Sequence, residues 1–223
     1  MVELIEGLEV ERVRANLAAV RAEVAQAAEG VGRDPGEVEI LAAGKYVASD
    51  RLPVLAEAGI TLLGENRARD LSTKLAAHGE LFTWDFIGAL QSKHVRSIVA
   101  HVRLIHSLWS DSALRELERH LDRARPGLRV LVEVNLAGDP AKGGISPQQL
   151  DAFIARSPVP VAGLMTMPPL TSDPEQSRPW FAGLRELAQE RGLRELSMGT
   201  TQDFAVAVQE GATIVRIGTR LYA

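Results

Sequence analysis

The sequence contains no cysteine. That excludes disulfides and thiolate metal sites, and it fits a cytoplasmic protein, where disulfides are rare. It has no apolar run of about 18 residues, the length a membrane-spanning helix needs, so no membrane partner is expected. The N-terminal stretch MVELIEGLEVERVRANLAAV carries acids from Glu3 onward and has no long apolar core, so it does not read as a signal peptide. No block of Lys and Arg stands out, and the formal net charge is −4. Nucleic acid is therefore not an expected partner, because phosphate binding needs clustered cations. The histidines, His78, His94, His101, His106 and His120, form no HExxH arrangement, which argues against a metal site. GxSxG, GxxxxGK[ST] and a strand-following GxGxxG are all absent. A Ser-His-Asp hydrolase and a nucleotide-binding protein are thereby disfavoured.

What is present is the composition of a globular protein. Of 223 residues, 46% are hydrophobic and 24% charged, enough to bury a sizeable core without staples. Residues 7–30 read as one amphipathic helix, with Leu8, Val13, Leu17, Val20 and Val24 recurring at three- and four-residue steps. Gly30, Gly32 and Pro35 end it. After it, β-branched apolar runs alternate with helical patterns. Strands are expected at 38–43, 60–63, 83–87, 102–106, 129–135, 161–165, 195–198 and 213–217. Strand–helix alternation implies a parallel sheet with helices outside. Eight repeats predict a (β/α)8 TIM barrel with an extra N-terminal helix, the chain 1–223 forming one domain. An open doubly wound sheet is the alternative.

In such barrels chemistry sits at the C-terminal ends of the strands. The first strand ends AAGK, which puts Lys45 at the barrel mouth. An amine over an apolar interior can attack an aldehyde, although most lysines are solvated surface residues. The second strand runs into GEN, with Glu65 and Asn66 expected at the same rim, where Asn66 serves a ligand or caps a helix. The third runs into FIGALQ, where Gly88 would let a ligand approach the backbone and Gln91 either reaches it or caps the next helix. The seventh and eighth run into SMGTT (Ser197, Gly199, Thr201) and VRIGT (Arg216, Gly218, Thr219). Both join glycine to hydroxyl residues at a strand end, a pattern that suits a phosphate, or else a turn. Alternation points Arg216 inward, where it needs a partner such as Glu133 or another acid.

Taken together, AAGK, GENR, FIGALQ, GLMTMPP, SMGTTQDF and EGATIVRIGT, in that order, resemble the pyridoxal-phosphate homeostasis protein family, nearly end to end. The resemblance implies a barrel like the N-terminal domain of alanine racemase, with pyridoxal 5'-phosphate held as a Schiff base on Lys45. It implies that Arg216 faces the pyridine nitrogen and that Thr201, Gly218 and Thr219 hold the phosphate, with Ser197, Gly199 and Asn66 nearby. PLP-dependent apoenzymes are the implied partners. The chain departs from the family at Thr200 and Thr201, where Met-Ser is usual, although Thr201 keeps the hydroxyl. It departs also at Ala89, Lys93 and His94, and it ends at Ala223 without the usual Phe-Gly-Glu-Arg. Two functions follow: a non-catalytic protein that stores or delivers the cofactor, which we favour, and an amino-acid racemase. A racemase needs two acid/base groups, one on each side of Cα, and Tyr46 and Tyr222 are the candidates for the second. A barrel enzyme on another phosphorylated substrate would keep the phosphate loops but not the Schiff base.

Overall fold

The computed structural model describes residues 4, 5 and 7–223. Eight parallel strands run β1 (Glu39–Ala43), β2 (Leu62–Glu65), β3 (Thr83–Phe86), β4 (Leu104–Leu108), β5 (Arg129–Glu133), β6 (Val161–Met165), β7 (Glu195–Thr200) and β8 (Ile214–Ile217). They form a closed barrel in sequence order. Closure comes from β1 against β8, with Leu41 opposite Arg216 and Ala42 opposite Ile217. The helices are α1 (Val10–Glu29), α2 (Leu52–Glu57), α3 (Ala68–His78), α4 (Val95–Ile98), α5 (Asp111–Arg119), α6 (Leu150–Ile154), α7 (Arg178–Gln189), α8 (Phe204–Gln209) and α9 (Thr219–Tyr222). The expected (β/α)8 barrel with an N-terminal helix is what the chain forms. Among the described residues no helix is long and apolar enough to cross a membrane.

The N-terminal helix starts at Val10 rather than residue 7. Gly7 has φ +67° and Glu9 is extended, so the first helical hydrogen bond forms only at Val13, onto the Glu9 carbonyl. Its three- and four-residue spacing buries Val13, Leu17, Val20 and Val24, and that face packs on α8 and α9.

Strand boundaries move where tertiary pairing overrides local pattern. The second strand lies two residues later than expected, because Ile60 still closes α2 by donating to Leu55 and Gly64 and Glu65 pair with β3. The fifth strand stops at Glu133, since Val134 and Asn135 turn to pair with Ile145. The seventh runs on to Thr200, so all of the SMGTT segment except Thr201 is strand rather than loop.

Alternation along these strands makes two apolar compartments. The larger lies between strands and helices and includes Ala42, Leu63, Ile105, Val130, Leu164 and Val215. The smaller fills the barrel with Leu41, Leu62, Leu104, Leu131, Met165 and Ile214. Each fully buried Leu or Ile contributes about 1.5–3 kcal/mol. The same alternation that sends Leu104 and Ile214 inward sends His106 and Arg216 inward two residues later. The barrel interior is therefore apolar in part and, toward the mouth, polar and buried, with His106, Ser197 and Arg216.

Candidate functional site

At the C-terminal end of the barrel lies a cavity of about 410 Å³, lined by Lys45, Tyr46, Asn66, Thr201, Arg216 and Thr219 among others, with Gly218 at its wall. Of the eight residues expected at the site, Ser197 and Gly199 alone are missing from that lining. A second cavity, of about 400 Å³, lies beside α1 near the strand starts. Its wall mixes apolar side chains with Arg21, Thr61 and Glu39, and the Glu39 carboxylate is occupied by Arg103.

Lys45 sits in a single 3-10 turn, Gly44–Tyr46, directly after β1. Its Nζ lies 4.5 Å from the Tyr46 ring centroid. The turn is anchored on both sides. The Lys74 ammonium donates to the Gly44 carbonyl at 2.8 Å, and the Tyr222 hydroxyl donates to the Ala43 carbonyl at 3.2 Å.

Glu65 is not at the rim. Its carboxylate is fully buried and accepts from Lys74 Nζ at 2.5 Å and from the Asn66 amide at 2.8 Å. Asn66 does cross into the cavity, and it caps nothing: Arg67 holds the cap position of α3, without a side-chain hydrogen bond. The Asn66 Oδ1 is buried and has no hydrogen-bond partner, a costly state that a ligand donor would relieve. Gly88 serves Asn66 rather than a ligand. A Cβ there would stand 1.9 Å from the Asn66 carbonyl oxygen, so only glycine lets the two backbones touch. Gln91 is exposed, lines no part of the cavity and makes no side-chain cap.

The loops after β7 and β8 are tied together, the Gly218 amide donating to Thr201 Oγ1 at 3.1 Å. Gly199 lies outside the cavity's lining. It has φ +88°, and a Cβ would lie 2.5 Å from Ala207, so this glycine lets β7 pack on α8. Ser197 is wholly buried beneath the cavity.

Arg216 is buried, and among the described residues it forms no ion pair within 4 Å, with Glu133 or any other acid. Nη1 donates to Ser197 Oγ at 2.5 Å, and Nη2 donates to the Thr166 carbonyl at 3.2 Å and to Met167 Sδ at 2.8 Å. Burial pulls its pKa down to about 10, and the more distant Glu133 and Asp203 limit the fall. It is thus a cation at neutral pH without a contacting anion. Burial raises the pKa of Glu133, and Arg216 opposes that rise.

The sequence reading missed what lies under Arg216. Ser197 Oγ is 2.7 Å from His106 Nδ1, and His106 Nε2 is 3.2 Å from Asp85 Oδ2. Arg103 donates to both Asp85 oxygens and to both Glu39 oxygens. Burial raises the Asp85 pKa, but hydrogen bonds from His106 and Arg103 outweigh it and hold the carboxyl below its ordinary value. Burial holds His106 below its ordinary 6.5 despite the opposing Asp85. This has a consequence for stability. The unfolded chain takes up the imidazole proton near pH 6.5 and the folded chain does not. The stability that neutral His106 carries is therefore complete above that pH and is lost as pH falls toward the folded pKa. The slope from this group reaches about 1.4 kcal/mol per pH unit. Urea unfolding of wild type and His106→Gln between pH 7 and pH 5 checks it; the variant should show a flatter profile.

A cavity with one amine, one buried cation without an ion-pair partner, three threonines and an orphaned amide oxygen suits a small anionic molecule bearing a carbonyl. The comparisons agree. The profile of the family described as "Alanine racemase, N-terminal domain" matches residues 9–223. The chain is 37% identical over 217 residues to the pyridoxal phosphate homeostasis protein of Aquifex aeolicus, covering 92% of this chain and 95% of that one. It is 36% identical to the protein of the same name from Pseudomonas aeruginosa, covering 93% of each. Among solved structures, PipY of Synechococcus elongatus with PLP bound superposes with a TM-score of 0.78 at 29% identity, covering 95% of this chain and all of that one. Ornithine/lysine decarboxylase from Vibrio vulnificus, at 13% identity and a TM-score of 0.67, shares the fold alone. The chain belongs to the alanine racemase N-terminal domain family and, within it, to the pyridoxal phosphate homeostasis proteins.

Proposed function

We propose that this protein binds pyridoxal 5'-phosphate at the barrel mouth, with Lys45 as the covalent anchor, and stores or delivers it to PLP-dependent apoenzymes without catalysing a reaction of its own. The observation that carries the reading is that Lys45, Arg216, Thr201 and Thr219 line one cavity whose Asn66 Oδ1 lacks a partner. When bound, the cofactor supplies an aldehyde that an amine can capture and a ring that draws electrons from it. Lys45 offers the amine. Thr201 and Thr219 offer hydroxyl donors to the phosphate, and Gly218 links their two loops. Arg216 offers N–H donors and no acceptor, so a ring nitrogen facing it stays unprotonated. The absence of cysteine fits the reducing cytoplasm in which such a reserve would be held.

The lining also weighs against a racemase. Among the described residues, the amine and the phenol that line the cavity are those of Lys45 and Tyr46, beside the cationic Arg216. Lys45 Nζ lies 4.5 Å from the Tyr46 ring centroid, so the two form one cluster, whereas racemisation needs a group on each face of Cα. Tyr222 is no substitute, being fully buried with its hydroxyl on a backbone carbonyl. The deciding experiment is incubation of the cofactor-loaded protein with L-alanine and other amino acids in deuterated water. A spectral shift with little Cα deuterium is expected. Rapid exchange with racemised product, lost in Lys45→Ala, would establish the enzyme instead.

Thr219→Val tests the phosphate end. Losing a hydroxyl donor to a dianion costs on the order of 1.5–3 kcal/mol, a tenfold or greater loss of affinity for PLP. Pyridoxal, which has no phosphate, should lose little. Equal losses for both ligands, read by titration of the visible band, would remove Thr219 from the phosphate site.

A further inference from the structure

The side chains beneath the cavity admit only one arrangement of protons. Arg216 and Arg103 are donors only. Asp85, held ionised between Arg103 and His106, is an acceptor only. His106 Nε2, 3.2 Å from that carboxylate, must therefore carry the ring proton. A neutral imidazole then has a bare Nδ1, and the Ser197 hydroxyl, 2.7 Å away, must donate to it. The remaining capacity of Ser197 Oγ is to accept, and it accepts from Arg216 Nη1. Every bond points the same way, from Arg216 through Ser197 and His106 to Asp85, whose charge is in turn clamped by Arg103, itself held by Glu39. All of these groups except Arg103 and Glu39 are buried, where a fully satisfied chain of hydrogen bonds is strong and rigid.

The chain fixes the guanidinium in its plane. Nη1 is taken by Ser197, Nη2 by the Thr166 carbonyl and Met167, and Nε donates to no described residue. We propose that His106, in its Nε2-protonated form, is a positioning residue that aims Arg216 at the ring nitrogen of the ligand, acting through Ser197 and set by Asp85. This rests on the reading that Arg216 faces the ring nitrogen of pyridoxal phosphate. It gives functions to Asp85, His106 and Ser197 that do not require any of them to touch the ligand.

The test compares dissociation constants for pyridoxal phosphate and for its 1-deaza analogue, in which carbon replaces the ring nitrogen. The analogue keeps the aldehyde and the phosphate, so the ratio of the two constants isolates the Arg216 contact. Wild type should prefer pyridoxal phosphate by about tenfold, the worth of one hydrogen bond from a charged donor. In His106→Leu and in Ser197→Ala the ratio should collapse toward unity. His106→Gln should keep most of it, because the amide presents an N–H to Asp85 and a carbonyl to Ser197 in the same order as the imidazole. General loosening of the barrel weakens both ligands alike and leaves the ratio unmoved. Ser197→Ala, a smaller lesion, cuts the same link should His106→Leu fail to fold. A wild-type ratio in Ser197→Ala, or a collapsed ratio in His106→Gln, overturns the proposed relay. A ratio near unity in wild type itself overturns the reading of Arg216 and the relay with it.

Discussion

Lys45→Ala is expected to abolish the visible absorption of the cofactor-loaded protein completely while leaving its thermal stability almost unchanged. The band requires conjugation between the pyridine ring and an imine nitrogen, and among the described residues no other amine lines the cavity. Lys74 is close in space but unavailable, its ammonium buried and held by Glu65 and the Gly44 carbonyl. Lys142 is engaged by the Met167 and Pro168 carbonyls. The fold should tolerate the change, since Lys45 is partly exposed and its Nζ makes no hydrogen bond to a described residue. Substitutions of that kind typically stay within about 0.5 kcal/mol. Arg216, Thr201 and Thr219 remain, so the variant should still bind the cofactor weakly, without colour from an imine. Absorption spectra and borohydride reduction followed by peptide mass mapping check both halves. An unchanged band in Lys45→Ala, or a reduced adduct on another lysine, would move the anchor elsewhere.

How far the sequence could reach follows from what kind of signal each residue emits. Lys45, Arg216 and the Gly-hydroxyl ends of β7 and β8 stand at strand termini, and barrel geometry alone brings strand termini to one face. They were legible for that reason. Period-2 alternation also made Arg216 an inward residue, and it is buried. Its partner was not legible. An inward arginine predicts an acid, yet this one leans on a serine, a carbonyl and a thioether. Such neutral acceptors leave no trace in charge pattern. His106 was visible as a strand residue, and alternation from Leu104 would have turned it inward. What joins it to Asp85 and Ser197 is closure of the barrel, which brings inward side chains of β3, β4 and β7 together across the interior and is absent from any local window. Glu65 and Asn66 illustrate the opposite error. Adjacent residues on a strand end point to opposite sides, so treating both as rim residues ignored the pleat. One is sealed with Lys74, nine residues on, and the other enters the cavity.

That sealed pair carries the second large effect. Lys74→Met removes the ammonium from a fully buried carboxylate and leaves Glu65 with one amide donor, that of Asn66. Removing one partner of a buried pair costs about 3–5 kcal/mol, because the uncompensated charge stays in a low-dielectric interior. At about 2–4 °C per kcal/mol for a chain of this size, the midpoint of thermal unfolding should fall by roughly 6–20 °C. Glu65→Gln combined with Lys74→Met removes both charges and should recover most of that loss, since a buried ion pair replaced as a unit is often near neutral. Cofactor affinity should behave differently. Lys74 also donates to the Gly44 carbonyl at the head of the turn bearing Lys45, and neither the single nor the double variant restores that donor. Both should therefore bind pyridoxal phosphate more weakly than wild type, even where the double variant melts normally. Calorimetry on the cofactor-free proteins and titration of the visible band separate the two effects. If affinity returns together with stability in the double variant, the pair serves the fold alone, and the orientation of Lys45 owes nothing to Lys74.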